Sequence, residues 1–168
     1  ITDKAEHLIF QVSQRRMGQY FTPIAPVVME AWDKLNAQWE HGSIISGLET
    51  GFRDIDLMTS GLQAGDLVIV AARPSMGKTS FALDIASHVA MRGRQPVALF
   101  SIEMSKEQLA LRMLSSHSQV ESQRLRAGFL HDDEIDKVSR AANELFQAPI
   151  FIDDSTDISP MGMRAKCR

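Results

Sequence analysis

Apolar residues recur along this chain with two different periods, and the switches between them outline its elements. Spacings of three and four residues mark helices with one buried face, while short unbroken apolar runs mark strands covered by their neighbours. Thr2 can cap a first helix carrying Ala5, Leu8, Ile9 and Val12 on one side, and Gly18 and the Thr22-Pro23 pair interrupt the pattern. A second helix is predicted from about residue 26 to 41, with Gly42 as its stop. Val28, Ala31, Leu35 and Trp39 line one side of it, and Glu30, Asp33, Lys34 and Glu40 occupy the other. Two placements are open for that apolar stripe: the helix lies on its own domain, or it docks on a neighbouring subunit.

Residues 42–65 are dense in turn formers, with Phe52, Ile55, Leu57 and Met58 among them predicting a short helix against the core. The apolar run 67–71 reads as a strand, and Phe81, Leu83, Ile85, Ala86, Val89 and Ala90 predict a helix after it, stopped by Gly93. A second run, 97–102, has the unalternated character of a parallel strand covered on both faces. Strand, loop, helix and strand make a right-handed βαβ unit, so the two strands share a sheet. The C-terminal end of the second, carrying Glu103, then lies on the ligand side of that sheet. Ser105 and Gln108 are spaced as a capping box for a helix with Leu109, Met113 and Leu114, and Arg112 among them. Another helix, opening at Asp132 or Asp133, is expected to bury Ile135, Val138, Ala142, Leu145 and Phe146. Pro149 admits a strand at 150–152, residues 153–156 turn, and Ser159-Pro160 opens a last helix. The class is α/β with a mostly parallel sheet: a helical linker region over 1–42, then a domain over 43–168.

Composition narrows this picture. The 168 residues, 44% hydrophobic and 23% charged, suffice for one core-bearing domain plus an appendage. A net charge of −3 argues against a broadly basic nucleic-acid surface but leaves room for a local basic loop. A single cysteine, Cys167, excludes an internal disulfide and fits a reducing cytosol. The five histidines lack ligand spacing, no apolar run is long enough to span a bilayer, and residues 1–10 lack a signal-peptide core. The expectation is a cytoplasmic chain with no membrane partner. Starting at Ile1 and stopping in mid-pattern at Arg168, it is also expected to be a piece of a longer protein, its sheet incomplete.

Candidate chemistry concentrates at the end of the run 67–71. Ala72-Arg73-Pro74-Ser75-Met76-Gly77-Lys78-Thr79, followed by Ser80, fits the phosphate-binding loop G-x-x-x-x-G-K-S/T, with Ala at the first position. A tight turn after a buried strand aims backbone N–H groups inward as a nest for phosphate oxygens. Gly77 lets the backbone approach the ligand, Lys78 brings a mobile charge to the β- and γ-phosphates, and Thr79 offers a hydroxyl to Mg²⁺. The helix beginning there adds the positive end of its dipole. ATP and Mg²⁺ are therefore the expected ligands. A carboxylate at a strand tip, as Glu103 would be, can accept a proton from an attacking water. The same position also suits an ordinary solvated acid before a helix N-terminus.

These stretches carry a resemblance. TGFRDIDLMTSGLQAGDLVIVAARPSMGKTSFALDIA followed by FSIEMSKEQLALRML is similar to the DnaB-type bacterial replicative DNA helicases, hexameric ring ATPases with a RecA-like motor domain. The similarity runs from about Ala5 to Arg168, its most specific pieces being ARPSMGKT, GFRDIDLMTSGL and FSIEMS. It implies a RecA-like P-loop ATPase core with a preceding linker that packs on the adjacent motor domain in a homo-hexamer. It implies Lys78 and Thr79 at the phosphate and Mg²⁺, Glu103 polarising the water, and Arg112 near the nucleotide. Single-stranded DNA, a primase and a helicase loader are the implied partners. Asp153 and Asp154 are not taken as the family's Walker B acid, because the family pattern places that residue after the next helix, beyond Arg168.

Three functions compete. In the first, ATP hydrolysis drives translocation on single-stranded DNA and duplex unwinding, with this piece inactive alone. In the second, the chain is a subunit-assembly module, or a recombinase-type RecA-like ATPase without helicase activity. A P-loop kinase is disfavoured, since nothing resembles a phosphoacceptor pocket or an arginine-rich lid.

Overall fold

The computed structural model describes residues 21–41 and 45–168, in two compact units, Ile1–Ser43 and Ile44–Arg168. The expected first helix around Ala5 and the Gly42 stop lie outside the described residues. Within the first unit, helix α1 spans Ile24–His41. Its turns are tied by the i,i+4 pair Glu30–Lys34 at 2.7 Å and by an edge-to-face contact of Trp32 and Trp39, centroids 5.8 Å apart. Taken by itself, it presents Val28, Leu35 and Trp39 uncovered.

The second unit begins with a turn closed by the antiparallel bridge Leu48–Leu62, in which each amide donates to the other's carbonyl at 2.9 and 2.8 Å. Inside it sits the short helix α2, Arg53–Thr59. The expected helix is there, but its inward residue is Asp56 rather than the apolar set. Phe52 stacks on Phe81 at 4.9 Å and Ile55 is half-buried, while Leu57 and Met58 face out.

Helix α3, Lys78–Met91, follows the glycine turn and buries Leu83, Ala86, Ser87, Val89 and Ala90. Strand β1, Val97–Phe100, then α4, Lys106–Ser118, and α5, Ser122–Ala127, lead to α6, Asp132–Phe146, and β2, Ile150–Asp153. The last element is α7, Pro160–Lys166. The caps expected at Ser105 and Ser159 form, and the one at Thr2 lies outside the described residues. Ser105 Oγ accepts from Gln108 N–H while the Gln108 side chain accepts from Ser105 N–H, and Ser159 Oγ accepts from Gly162 N–H at 3.1 Å.

β1 and β2 pair in parallel, Val97 opposite Ile150 and Phe100 opposite Asp153. Leu99, Ile150 and Ile152 turn one face of this ribbon onto the buried cluster of Leu83, Leu109 and Met113. The expectation of strands covered on both faces does not hold: the pair Ala98–Phe151 looks away from the core, with Phe151 65% exposed. Helix α6 also packs differently from expectation. Its covered arc is Val138, Ala141, Ala142 and Leu145, and Ile135 and Phe146 fall to the rim of that arc, Phe146 85% exposed.

The largest correction concerns residues 67–71. They form no strand: the run has no ladder partner among the described residues, and Leu67 and Ile69 are 86% and 79% exposed. A strand exists only as half of a hydrogen-bonded pair. β1 and β2 pair with each other, and among the described residues no strand hydrogen-bonds to this run. The parallel crossover that forms therefore joins β1 to β2 through α4–α6.

Candidate functional site

Residues 72–77 turn the chain into α3. Met76 N–H donates to the Arg73 carbonyl at 3.3 Å, and two residues take left-handed backbone, Ser75 at φ 65° and Gly77 at φ 85°. Among the described residues nothing lies within 4 Å of where a Cβ on Gly77 would stand, so the glycine answers to its dihedral angle and to open space on that side. Gly77 is also the N-cap of α3 and supplies no side-chain cap. Helix α3 closes only from Phe81, whose N–H donates to the Gly77 carbonyl at 2.9 Å. The amides of Gly77, Lys78, Thr79 and Ser80 meet no protein acceptor among the described residues, and the Thr79 hydroxyl has no partner among them either. Four unpaired donors follow one another at the positive end of a 14-residue helix, which also begins with the exposed Lys78. Such an arrangement fits the phosphate groups of a nucleotide, and the free Thr79 hydroxyl fits a hard cation bound with them. Among the described residues no cluster of three His, Cys, Asp or Glu side chains could hold a metal by itself.

The topology brings Glu103 to the same end of the sheet. Helix α3 packs on β1 and is joined to it by the short turn 92–96, so its N-terminus faces the C-terminal end of β1. Glu103 stands in the loop just past that end, exposed, with no ion pair among the described residues. The loop is braced by Ser101. Its hydroxyl donates to the Met104 carbonyl at 2.6 Å and accepts from Met104 N–H at 3.1 Å, while its own amide donates to the Asp153 carbonyl at 2.9 Å. Arg112 projects from α4 into a cavity of about 420 Å³ that it shares with Ser80.

Asp153 and Asp154 are spent on structure. Asp153 pairs with Lys166 and accepts from Ser155, whose amide donates at 3.1 Å. The Lys166 and Ser155 hydrogen bonds hold its carboxyl down at about 2. Asp154 caps α4, accepting from Lys106 N–H at 3.0 Å.

Sequence reasoning missed the most buried polar pair. Thr50 and Asp56 are 1% and 3% exposed. Asp56 Oδ1 accepts from Thr50 N–H at 2.8 Å and from the Thr50 hydroxyl at 2.7 Å. Burial alone would push the Asp56 carboxyl up. Hydrogen bonding from Thr50 and the Gly51 amide, with His88 close by, outweighs that and holds it below the usual range. The available signal was an acid inside an apolar helix pattern six residues after a Thr-Gly turn.

Comparison with known proteins supplies relatives for this site. A family model described as DnaB-like helicase C terminal domain matches residues 47–168. Over all 168 residues the chain is 42% identical to the replicative DNA helicase DnaB of Geobacillus stearothermophilus, spanning 37% of that protein. It is 41% identical to the replicative DNA helicase DnaC of Bacillus subtilis strain 168, again over its whole length and 37% of the relative. The chain thus spans little more than a third of these curated relatives. Among solved structures, one of an ATPase domain matches with a TM-score of 0.81 at 29% identity, over 88% of this chain and 51% of that one. A DnaB-like replicative helicase studied for its interactions with primase matches with a TM-score of 0.73 at 26% identity, over 96% of this chain and 39% of that one. The fold is accordingly that of the RecA-like helicase ATPase domains.

Proposed function

We propose, from the premise that the chain belongs to the DnaB-like helicase C-terminal domain family, that it is the nucleotide-binding part of a motor that hydrolyses ATP to translocate on single-stranded DNA and separate the duplex. The observation that carries this reading is the row of unpaired amides at the start of α3, beside Lys78 and Thr79 and at the same sheet end as Glu103. ATP would supply the phosphoanhydride to be cleaved, and Mg²⁺ would neutralise part of its charge. The chain's own contribution is positional and electrostatic. The amides of Gly77 to Ser80 cradle phosphate oxygens, Lys78 offsets charge on the terminal phosphates, and Thr79 lends its hydroxyl to the cation. Glu103, solvated and unpaired, accepts the proton of an in-line water and holds it in place.

The names of the relatives favour a helicase over a recombinase-type ATPase. The uncovered stripe of α1 favours a ring: an apolar face of this kind, with Leu35 and Trp39 in water, suits a neighbouring subunit of a homo-hexamer. A primase and a loader are proposed as partners of the complete protein.

The test uses two variants of the complete protein. Lys78→Ala abolishes ATP turnover while circular dichroism shows the fold kept, because Lys78 is exposed at the first position of α3. Glu103→Gln leaves nucleotide affinity near that of the parent and lowers hydrolysis by roughly a hundredfold, the scale of losing a general base. Normal turnover by Lys78→Ala would sink the phosphate-loop assignment. An equal fall of affinity and hydrolysis in Glu103→Gln would make Glu103 a ligand rather than a base.

A further inference from the structure

We infer that Ser101 is a positioning residue for Glu103: its hydroxyl, with Asp154 at the far end of the same turn, fixes where the proposed base stands, an inference that rests on the reading of Glu103 given above. The Ser101 amide carries the pairing of β1 and β2 one residue past Phe100, donating to the Asp153 carbonyl at 2.9 Å. The half-buried hydroxyl then reaches three residues on. It donates to the Met104 carbonyl at 2.6 Å and accepts from Met104 N–H at 3.1 Å. Met104 in turn packs against the buried cluster of Leu83, Leu109 and Met113. The chain is thus held at 101 and at 104, and the exposed Ile102 and Glu103 form the tip between. On the far side Asp154 Oδ2 accepts from Lys106 N–H at 3.0 Å. Consecutive residues at the end of β2 therefore secure both ends of the turn that carries Glu103.

This bracing answers a demand of the chemistry. A general base works only when its carboxylate lies within about 3 Å of the proton it takes, and a displacement of about 1 Å can cost a hundredfold in rate. Glu103 is exposed and has no ion pair among the described residues, so its place is set by the backbone of the tip. That backbone is tied down by the Ser101 hydroxyl. Leu83 belongs to α3, the helix whose first turn carries Lys78 and Thr79, so the cluster under Met104 gives the tip and the phosphate donors a common support. Serine suits the task because one hydroxyl donates and accepts at once. Threonine keeps both capacities and alanine has neither.

Single-turnover ATP hydrolysis by the complete protein, at saturating nucleotide, tests this in the parent, Ser101→Ala, Ser101→Thr, Glu103→Gln and the double variant of Ser101→Ala with Glu103→Gln. Ser101→Ala lowers the rate roughly tenfold while ATP affinity stays near that of the parent, and Ser101→Thr restores most of the loss. In the Glu103→Gln background Ser101→Ala costs nothing further, because the carboxylate it positions is already gone. A brace that served only the stability of the fold would lower both backgrounds alike. Should Ser101→Ala fail to fold by circular dichroism, Asp154→Ala, which frees the other end of the turn, takes its place in the same cycle. A parental rate in the folded variant, or equal losses with and without the Glu103 carboxylate, overturns the inference. Normal hydrolysis by Glu103→Gln alone is a separate failure: it removes the base itself, and the positioning role falls with it.

Discussion

Two turns in this molecule, each with a threonine within two residues of a glycine in left-handed backbone, are filled in opposite ways. At Thr50-Gly51 the anion is internal: Asp56 reaches back from α2 and accepts the Thr50 amide and hydroxyl. At Gly77-Lys78-Thr79 the equivalent donors meet no protein acceptor among the described residues, and the turn stands open. The same elementary demand, that clustered N–H and O–H donors find an acceptor, is met within the fold in one place and left to solvent or a ligand in the other. The difference separates structure from function more cleanly than residue type does, because threonine and glycine serve in both. Gly51 marks the contrast from the steric side. A Cβ there would stand 2.7 Å from the His88 ring, whereas one on Gly77 would meet nothing within 4 Å.

Removing the internal anion is the largest way to break the comparison. In Asp56→Ala the buried Thr50 amide and hydroxyl lose their acceptor inside the fold. With about 1–3 kcal/mol for each unsatisfied buried group, the variant is destabilised by about 3 kcal/mol. Denaturant unfolding of the complete protein, followed by circular dichroism, reads this directly. A midpoint unchanged from the parent would mean that the turn, like the open one, does not need its anion.

The glycine pair gives a smaller, more discriminating effect. Gly51 and Gly77 have φ of 86° and 85°, so alanine costs each about 1 kcal/mol in backbone strain. Gly51→Ala adds a clash with His88 and lowers the melting temperature further. Gly77→Ala adds no clash within the chain, so its excess penalty appears in nucleotide affinity instead. Thermal melts with and without ATP distinguish the two, and a Gly77→Ala variant with the larger stability loss would reverse the argument.

Much of this was readable from the residues alone, and the failures share a cause. Caps were legible because their bonds run between residues three apart, as Ser105–Gln108 and Ser159–Gly162 confirm. The glycine turn was legible because the spacing of Gly77, Lys78 and Thr79 is local as well. The residues 67–71 misled because an apolar run forms a strand only where a partner hydrogen-bonds to it, and among the described residues none does. The apolar faces of α2 and α6 were misjudged because which side of an arc is covered depends on neighbours distant in sequence. Asp56 was missed because its bonds run back six residues, out of its own helix to the Thr50 turn, a link no helical or strand period marks.

The smallest effect is one of acid, and it sharpens the contrast between a carboxylate in the interior and one at the surface. Asp153, drawn from an ordinary 3.8 to about 2 by its hydrogen bonds with Lys166 and Ser155, contributes stability that is fully present above pH 3.8. That contribution is lost as the pH falls from 3.8 towards 2, when the folded protein at last takes up the proton. Asp56 is also held below its ordinary value, so its contribution has the same sign and fades on the same acid side. The two differ in how salt acts on them. The Asp153–Lys166 pair lies at the surface, with Lys166 exposed and Asp153 half-buried, so its attraction is partly screened and its share of the acid loss shrinks at high ionic strength. Asp56 is bound by neutral donors in the interior, where salt reaches little. Unfolding midpoints of the parent and Asp153→Asn, followed from about pH 5 to about pH 2 at low and high salt, resolve the pair. The parent loses more stability than the variant across that range at low salt, and the gap narrows at high salt. A gap that keeps its width as salt is added would place the Asp153 bonds in a screened-off interior and remove the distinction drawn here.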